Sequence, residues 1–413
     1  MKSTKAITVI YFVLCYSALI FVKIFSDLPI TIGNSSEKAS SLVNLSIPSD
    51  NFYPIGKALL LVPFLWNGPK YFIALVFYYS IGIYYYHRIC NSVSNNGFRT
   101  IALLALPLNP YLIWLIYTSQ DTVFEFALLM SLIYLTLRKK LILVFIVGYL
   151  LSLTRPGYWP LFIFCVFFII YSRRINLSKN LIIIISTVTL TLAPATLFAN
   201  YKLFGAADFA EESGVTLHFS YNKYLYLALP TFDMDVFLST KGHGWSDDNK
   251  TNSDYRALAV NSIDENRKQI VLAFLEKVDA YIFDIQKVPH LPGEYYLSED
   301  AKSIVIGDER LTWPLVVGNA LFAFYRATLI LLFFFTIGAV IVLRKLKIPI
   351  SILKDRWILG VPWLFGLIPG LMFYTETRFK IVSEILLAPF IAHFWNITSS
   401  QRGQGHGNQH SQK

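Results

Sequence analysis

The chain has 413 residues; 55% are hydrophobic, 16% aromatic and only 15% charged, with a net charge of +10. Soluble domains carry about 25% charged residues, so an ordinary soluble globular domain is excluded, and the mean hydropathy of +0.50 points to a polytopic membrane protein. The positive balance does not imply nucleic acid, because Lys and Arg sit in short groups between apolar runs, as topology signals do.

In chain order, Lys2 and Lys5 precede an apolar run from Ala6 to Val22. No small-x-small cleavage site follows it, so a retained first helix is expected rather than a signal peptide. A helix needs about 20 apolar residues to cross a bilayer. Spans are expected near 6–24, 70–87, 100–117, 121–137, 141–154, 157–172, 181–199, 316–343, 357–373 and 381–397. The fold class is therefore all-α and polytopic, with about ten transmembrane helices. The groups Lys2/Lys5, Arg88/Arg99, Arg138–Lys140, Arg173/Arg174/Lys179, Arg344–Arg356 and Arg402/Lys413 then fall on one face, which the charge bias makes cytoplasmic. Both termini are expected inside, in the plasma (inner) membrane of a bacterium.

Residues 1–199 read as an N-terminal bundle that includes a first outer loop, 25–69. Within that loop Ile55–Trp66 is apolar, too short to span, and flanked by Pro54, Pro63 and Pro69. It reads as an interfacial helix, with a re-entrant segment as the alternative. Residues 200–315 form a large extracytoplasmic segment. In it Val271, Phe274, Leu275, Val278 and Ile282 recur at helical spacing after a capping box at Ser262–Glu265. That amphipathic helix is expected to pack over the ends of the bundle. Residues 316–397 supply the last spans, and 398–413 read as a disordered cytoplasmic tail.

Cys15, Cys90 and Cys165 lie in or beside apolar runs without a pairing pattern and read as small hydrophobes. The seven His show no metal spacing; His406 and His410 lie four apart in a Gly/Gln-rich tail. No metal site is expected from the residues, and a role for a divalent ion stays open.

On this topology the polar residues gather at one membrane face. Asp27 follows the first span, and Glu37 and Asp50 lie further along the loop. The turn Tyr117–Asp121, after Asn109-Pro110, brings Gln120 and Asp121, with Glu125 one helical turn deeper. The tip Leu153-Thr154-Arg155-Pro156-Gly157-Tyr158-Trp159 joins two apolar runs, and Tyr374–Lys380 closes the set with Glu376, Arg378 and Lys380. Three of the acids have a plain structural reading, whereas Glu125, one turn deeper, is harder to dismiss. Asp27 suits a solvated helix end, Asp50 a helix cap and Asp121 a helix dipole. Arg155 and Arg378 resist such readings, because both oppose the charge bias. Glu376, Lys380 and Glu384 are spaced four apart and are expected to pair along one helix face.

Two cations and several carboxylates at a lipid interface suit sugar transfer from a polyprenyl-phosphate donor. An Arg stabilises the charge of the departing lipid phosphate. Phosphate leaves readily, so no general acid is required, and one carboxylate takes the acceptor hydroxyl's proton. Asp27 and Asp50 are the candidate catalytic bases. Arg155, Arg378 and Lys380 would hold the donor phosphate. Gln120, Asp121, Tyr158 and Glu376 would line the substrate. The donor is a lipid-linked sugar, and the acceptor a cell-envelope glycan, lipid or protein.

These motifs resemble the GT-C superfamily of membrane glycosyltransferases, which includes protein O-mannosyltransferases and lipid A aminoarabinose transferases. Tyr53-Pro54 leading to Val62-Pro63 and Gly68-Pro69 is similar to their first-loop region. Leu108-Asn109-Pro110 through Ser119-Gln120-Asp121 is similar to their proline-led third span ending in a Ser/Asp turn. Leu153-Thr154-Arg155-Pro156 resembles their Thr-Arg-Pro turn. Glu376-Thr377-Arg378-Phe379, with Pro389 beyond, resembles a late acidic-x-Arg-aromatic turn. Asn266–Pro289 is similar to their outer-loop helix. The resemblance implies first-loop helices over a shared bundle, an inverting mechanism and a first-loop carboxylate as base. The family pattern places Asp close before Tyr. Here Asp27 has no such Tyr, Asn34 stands where an Asp is expected, and Asp50-Asn51-Phe52-Tyr53 comes late. The base stays open between Asp27 and Asp50, with Glu37 behind them. The rival readings are an O-antigen or capsule repeat-unit polymerase and a transporter or flippase for lipid-linked sugars. The latter predicts charges near mid-membrane, broken helices and repeats.

Overall fold

The structure is a computed structural model. It describes residues 2–25, 35–44, 55–65, 70–93, 96–118, 120–172, 179–204, 217–218, 220–221, 252–283, 295–297, 304–306, 313–345, 355–372 and 380–396. The helices in the N-terminal part are α1 (Lys2–Phe25), α2 (Ser35–Val43), α3 (Ile55–Leu61), α4 (Tyr71–Cys90), α5 (Asn96–Leu104), α6 (Pro110–Thr118), α7 (Gln120–Leu137), α8 (Leu141–Thr154), α9 (Trp159–Ser172) and α10 (Lys179–Phe204). The large segment holds α11 (Asn252–Glu265), α12 (Arg267–Phe283) and an antiparallel hairpin of β1 (Tyr295–Leu297) and β2 (Ile304–Ile306). Then follow α13 (Trp313–Lys345), α14 (Val361–Met372) and α15 (Ile381–Glu384), which continues after a two-residue turn into helical residues 387–396. The architecture is that of an all-helical membrane protein, to which the short hairpin is an unforeseen addition.

Helices within α1 (Lys5–Ile24), α10 (Ile182–Leu203) and α13 (Phe324–Val342) are long and apolar enough to cross a membrane. Their outward residues are apolar: Val9, Ile10 and Phe21 on α1, Ile183, Leu190 and Phe198 on α10, Leu331, Phe335 and Ile341 on α13. Water would penalise such surfaces and lipid does not. The other apolar helices are shorter. α8 and α9 have 14 residues each, about 21 Å at 1.5 Å per residue.

α7 is the central pillar. Every residue from Thr122 to Ile133 is buried, which matches a helix that is apolar on all sides rather than striped. It packs on α4, α8, α6 and α9. Against α4 the approach is close enough that a Cβ at Gly82 would collide with the Phe126 ring. Only glycine leaves room there.

The sequence led to one helix over 100–117; the structure holds two, α5 and α6. Pro107 and Pro110 each lack an N–H and disfavour helical backbone at the preceding residue. The buried Asn109 then starts the second helix, its Oδ1 accepting the backbone N–H of Leu112 at 3.0 Å. α3 followed by a 3-10 turn at Val62–Phe64 agrees with a short first-loop helix. α12 does pack on α14, but of the apolar stripe expected to face the bundle Val271, Phe274 and Leu275 are exposed, and Lys277 is turned inward; the side chains of Val278 and Ile282 lie outside the described set.

Candidate functional site

Arg155 is built into a turn that the sequence imposes. Pro156 forbids further helix at Arg155, whose backbone is extended at φ −143 and ψ 102 and whose N–H still closes α8 onto the Leu151 carbonyl at 2.8 Å. A 3-10 turn, Pro156–Tyr158, then starts α9. This places the Arg155 guanidinium and the Tyr158 hydroxyl on the same carboxylate. Arg155 Nη1 donates to Oε2 of Glu125, and Tyr158 Oη donates to Oε1. Glu125 lies on α7, little more than one turn past its first residue, Gln120. Its side chain is 1% exposed and that of Arg155 is 18% exposed. The carboxylate is thus enclosed, while the Arg155 side chain is partly exposed.

A buried carboxylate without partners would be costly, so Arg155 and Tyr158 account for its position. A guanidinium has five N–H donors in a planar fork, and Glu125 fixes the orientation of that fork through Nη1. Thr122, one turn before Glu125 on α7, is buried, and its Oγ1 has no hydrogen-bond partner among the described residues.

The first-loop helix covers this turn. A Cβ at Gly56 on α3 would collide with the carbonyl carbon of Leu153 and the amide nitrogen of Thr154, so the α3 backbone rests on the end of α8 directly before Arg155. The Tyr78 hydroxyl donates to the Leu60 carbonyl at 2.8 Å and pins α3 to α4. Lys57, beside Gly56, is buried.

A second carboxylate–guanidinium pair lies elsewhere. Arg326 of α13 grips Glu384 of α15, with Nε 3.0 Å from Oε1 and from Oε2 and Nη2 2.9 Å from Oε1. Trp363 Nε1 donates to Oε1 at 3.4 Å. The side chains are 1% and 3% exposed. The Tyr86 hydroxyl reaches the carbonyl of Ile385, next to Glu384, at 3.4 Å. Tyr86 lies eight residues along α4 from Tyr78, about 12 Å, so the two pairs sit at different levels of the bundle. Glu384, expected to pair along its own helix, is held across the bundle by Arg326. Sequence reasoning missed Arg326. Its signal was available: an Arg in one apolar run and a Glu in another need each other.

Of the residues singled out in the sequence, Arg155 and Tyr158 are brought together, with Glu125. Gln120 and Asp121 open α7 and so start the same helix end; their side chains lie outside the described set. Lys380 is buried one turn before Glu384. Asp27, Asp50, Glu376 and Arg378 lie outside the described residues. Among the described residues no three His, Cys, Asp or Glu side chains gather as a metal site.

In the large segment Lys277 is buried with its Nζ 4.7 Å from the Tyr221 ring centre. Burial pushes its ammonium down to about 7 and raises the Tyr221 phenol. Comparison with family models, curated proteins and solved structures found no match.

Proposed function

We propose that the chain is an integral membrane glycosyltransferase of about ten spans. It moves a hexosyl or pentosyl group from a polyprenyl-phosphate carrier to a cell-envelope acceptor on the extracytoplasmic face. The observation that carries this reading is the Arg155 turn: a guanidinium fixed by a buried Glu125, which Tyr158 also holds, beside a first-loop helix.

In this mechanism the acceptor oxygen attacks the anomeric carbon and forms the new glycosidic bond. The bond from that carbon to the phosphate oxygen breaks, and the lipid phosphate leaves with the electron pair. Arg155 stabilises that charge in a site of low dielectric, where a fixed donor is worth most. Arg378 and Lys380 would complete the phosphate contacts, and Asp27 or Asp50 would accept the acceptor's proton. Glu125 is not assigned that proton: its two oxygens already accept from Arg155 and Tyr158, which makes it a positioning residue.

The test is the surface or lipid-linked glycan of cells lacking the gene, read by mass spectrometry. The gene is restored as wild type, Arg155→Ala, Asp27→Asn or Asp50→Asn. Loss of one sugar per repeat, with glycan length kept, is the expected result. Collapse to a single repeat unit would make the protein a polymerase instead, and an unaltered glycan would remove both enzymatic readings for that glycan. A transporter of lipid-linked sugars is the second reading. The Arg326–Glu384 pair favours it, since ionised groups inside a bundle often mark transport paths; accumulation of untransported carrier on the cytoplasmic side would support it.

A further inference from the structure

α12 has two faces, and the expected one is not the face turned to protein. At about 100° per residue, Val271, Leu272, Phe274 and Leu275 fall on one side, and all four are exposed. Arg267 and Lys268 are exposed on that same side, one turn earlier: Arg267 leads to Val271 and Leu275, and Lys268 to Leu272. The opposite side carries Ile270, partly buried, and Lys277, fully buried against Tyr221. The helix is therefore docked by its Lys277 side, which leaves its most apolar side uncovered.

We propose that this uncovered face of α12 lies in the lipid bilayer. Val271, Leu272, Phe274 and Leu275 would enter the acyl boundary, and the first turn, Arg267 and Lys268, would sit at the phosphates. Three observations select lipid as the occupant. α12 packs on α14, an apolar helix of the bundle, which keeps it within reach of the membrane that α1, α10 and α13 are long enough to cross. The exposed side chains are of the same kind as the lipid-suited surfaces of those three helices. Arg267 and Lys268 precede the apolar residues on the same side, where long cationic side chains can lie along an apolar surface and reach the phosphates. Asp264 also holds Arg267 at 3.1 Å, but both are exposed, and such a pair is weak enough to exchange for a lipid phosphate. This proposal rests on membrane insertion of the chain and not on sugar transfer.

The experiment uses the full-length protein in lipid nanodiscs. Cys15, Cys90 and Cys165 are buried, so single cysteines at Leu275→Cys, Phe274→Cys and Gln269→Cys carry an environment-sensitive fluorophore. Gln269 is exposed on a different side of α12 and serves as the control. The expected result is blue-shifted emission at 274 and 275, strong quenching by spin-labelled lipid tails and protection from aqueous iodide, with the reverse at 269. Quenching of 274 and 275 by iodide but not by lipid would overturn the proposal. Protection from both quenchers would overturn it as well, since protein would then cover the face. Retained chromatographic behaviour of each labelled protein shows that the result concerns α12 and not misfolding.

Discussion

Two carboxylate–guanidinium pairs occupy this molecule, Arg155 with Glu125 and Arg326 with Glu384, and they differ in what the guanidinium faces. Arg326 is enclosed and gives three hydrogen bonds to one carboxylate, with Trp363 adding a fourth. Arg155 is part exposed, sits at a turn and has a first-loop helix resting beside it. A pair sealed on all sides ties helices together. A pair whose cation is partly exposed is a positioned charge that solvent or a ligand can approach. The lesson is that charge within an apolar run does not by itself indicate a site; the exposure of the cation separates the two.

The largest effect is expected at the enclosed pair. Arg326→Leu strands Glu384 and should cost about 3–5 kcal/mol of stability, whereas the double variant Arg326→Leu/Glu384→Met should recover most of it. Thermal melting of the purified protein in detergent checks this, and a single variant that melts like wild type would erase the distinction between the pairs. Arg155→Lys keeps the charge but loses the planar fork. On the proposed function, sugar transfer should fall about 100- to 1000-fold, as on losing one transition-state donor, with a smaller loss of melting temperature than for Arg326→Leu.

Gly56→Val drives a side chain into the Leu153–Thr154 backbone. Overpacking of this kind costs about 1–3 kcal/mol, and displacement of α3 should also lower transfer; normal activity and stability together would detach α3 from the site. Tyr158→Phe removes one hydrogen bond to an ionised Glu125, worth about 1.5–3 kcal/mol at most, and should reduce transfer less than Arg155→Lys in the same assay.

A pH dependence is expected from the large segment. The folded protein holds the Lys277 ammonium at about 7, below its unfolded value of about 10.4. Below pH 7 both states are protonated and the burial penalty is present in full. Between the two values the unfolded state binds more protons, so stability rises with pH across that window. Lys277→Met should flatten this rise in a melting series from about pH 6.5 to about 9.5.

Much of the helical frame was legible in the sequence. α4, α7, α8 and α9 follow the apolar runs to within a few residues, because helices that turn their sides either to the protein core or to lipid need continuous apolar sequence. Arg155 was legible because it opposed the charge bias. Its partner was not, although Glu125 stood out, because a pairing between residues so far apart in sequence depends on how α7 and α8 lie together. The break at 105–109 was written in Pro107 and Pro110, but an apolar run of span length masked it. The orientation of α12 was illegible for a physical reason: protein interior and lipid are both apolar, so Val271, Phe274 and Leu275 suit either.

The most direct test that the partly exposed Arg155 holds a phosphate measures the thermal shift caused by a polyprenyl phosphate in nanodiscs, for wild type, Arg155→Lys and the Arg326→Leu/Glu384→Met double variant. Binding to the folded state alone raises the melting temperature. The account predicts a clear shift for wild type and for the double variant, and little or none for Arg155→Lys. Equal shifts in wild type and Arg155→Lys, with loss only in the double variant, would contradict it and move the phosphate site to the enclosed pair.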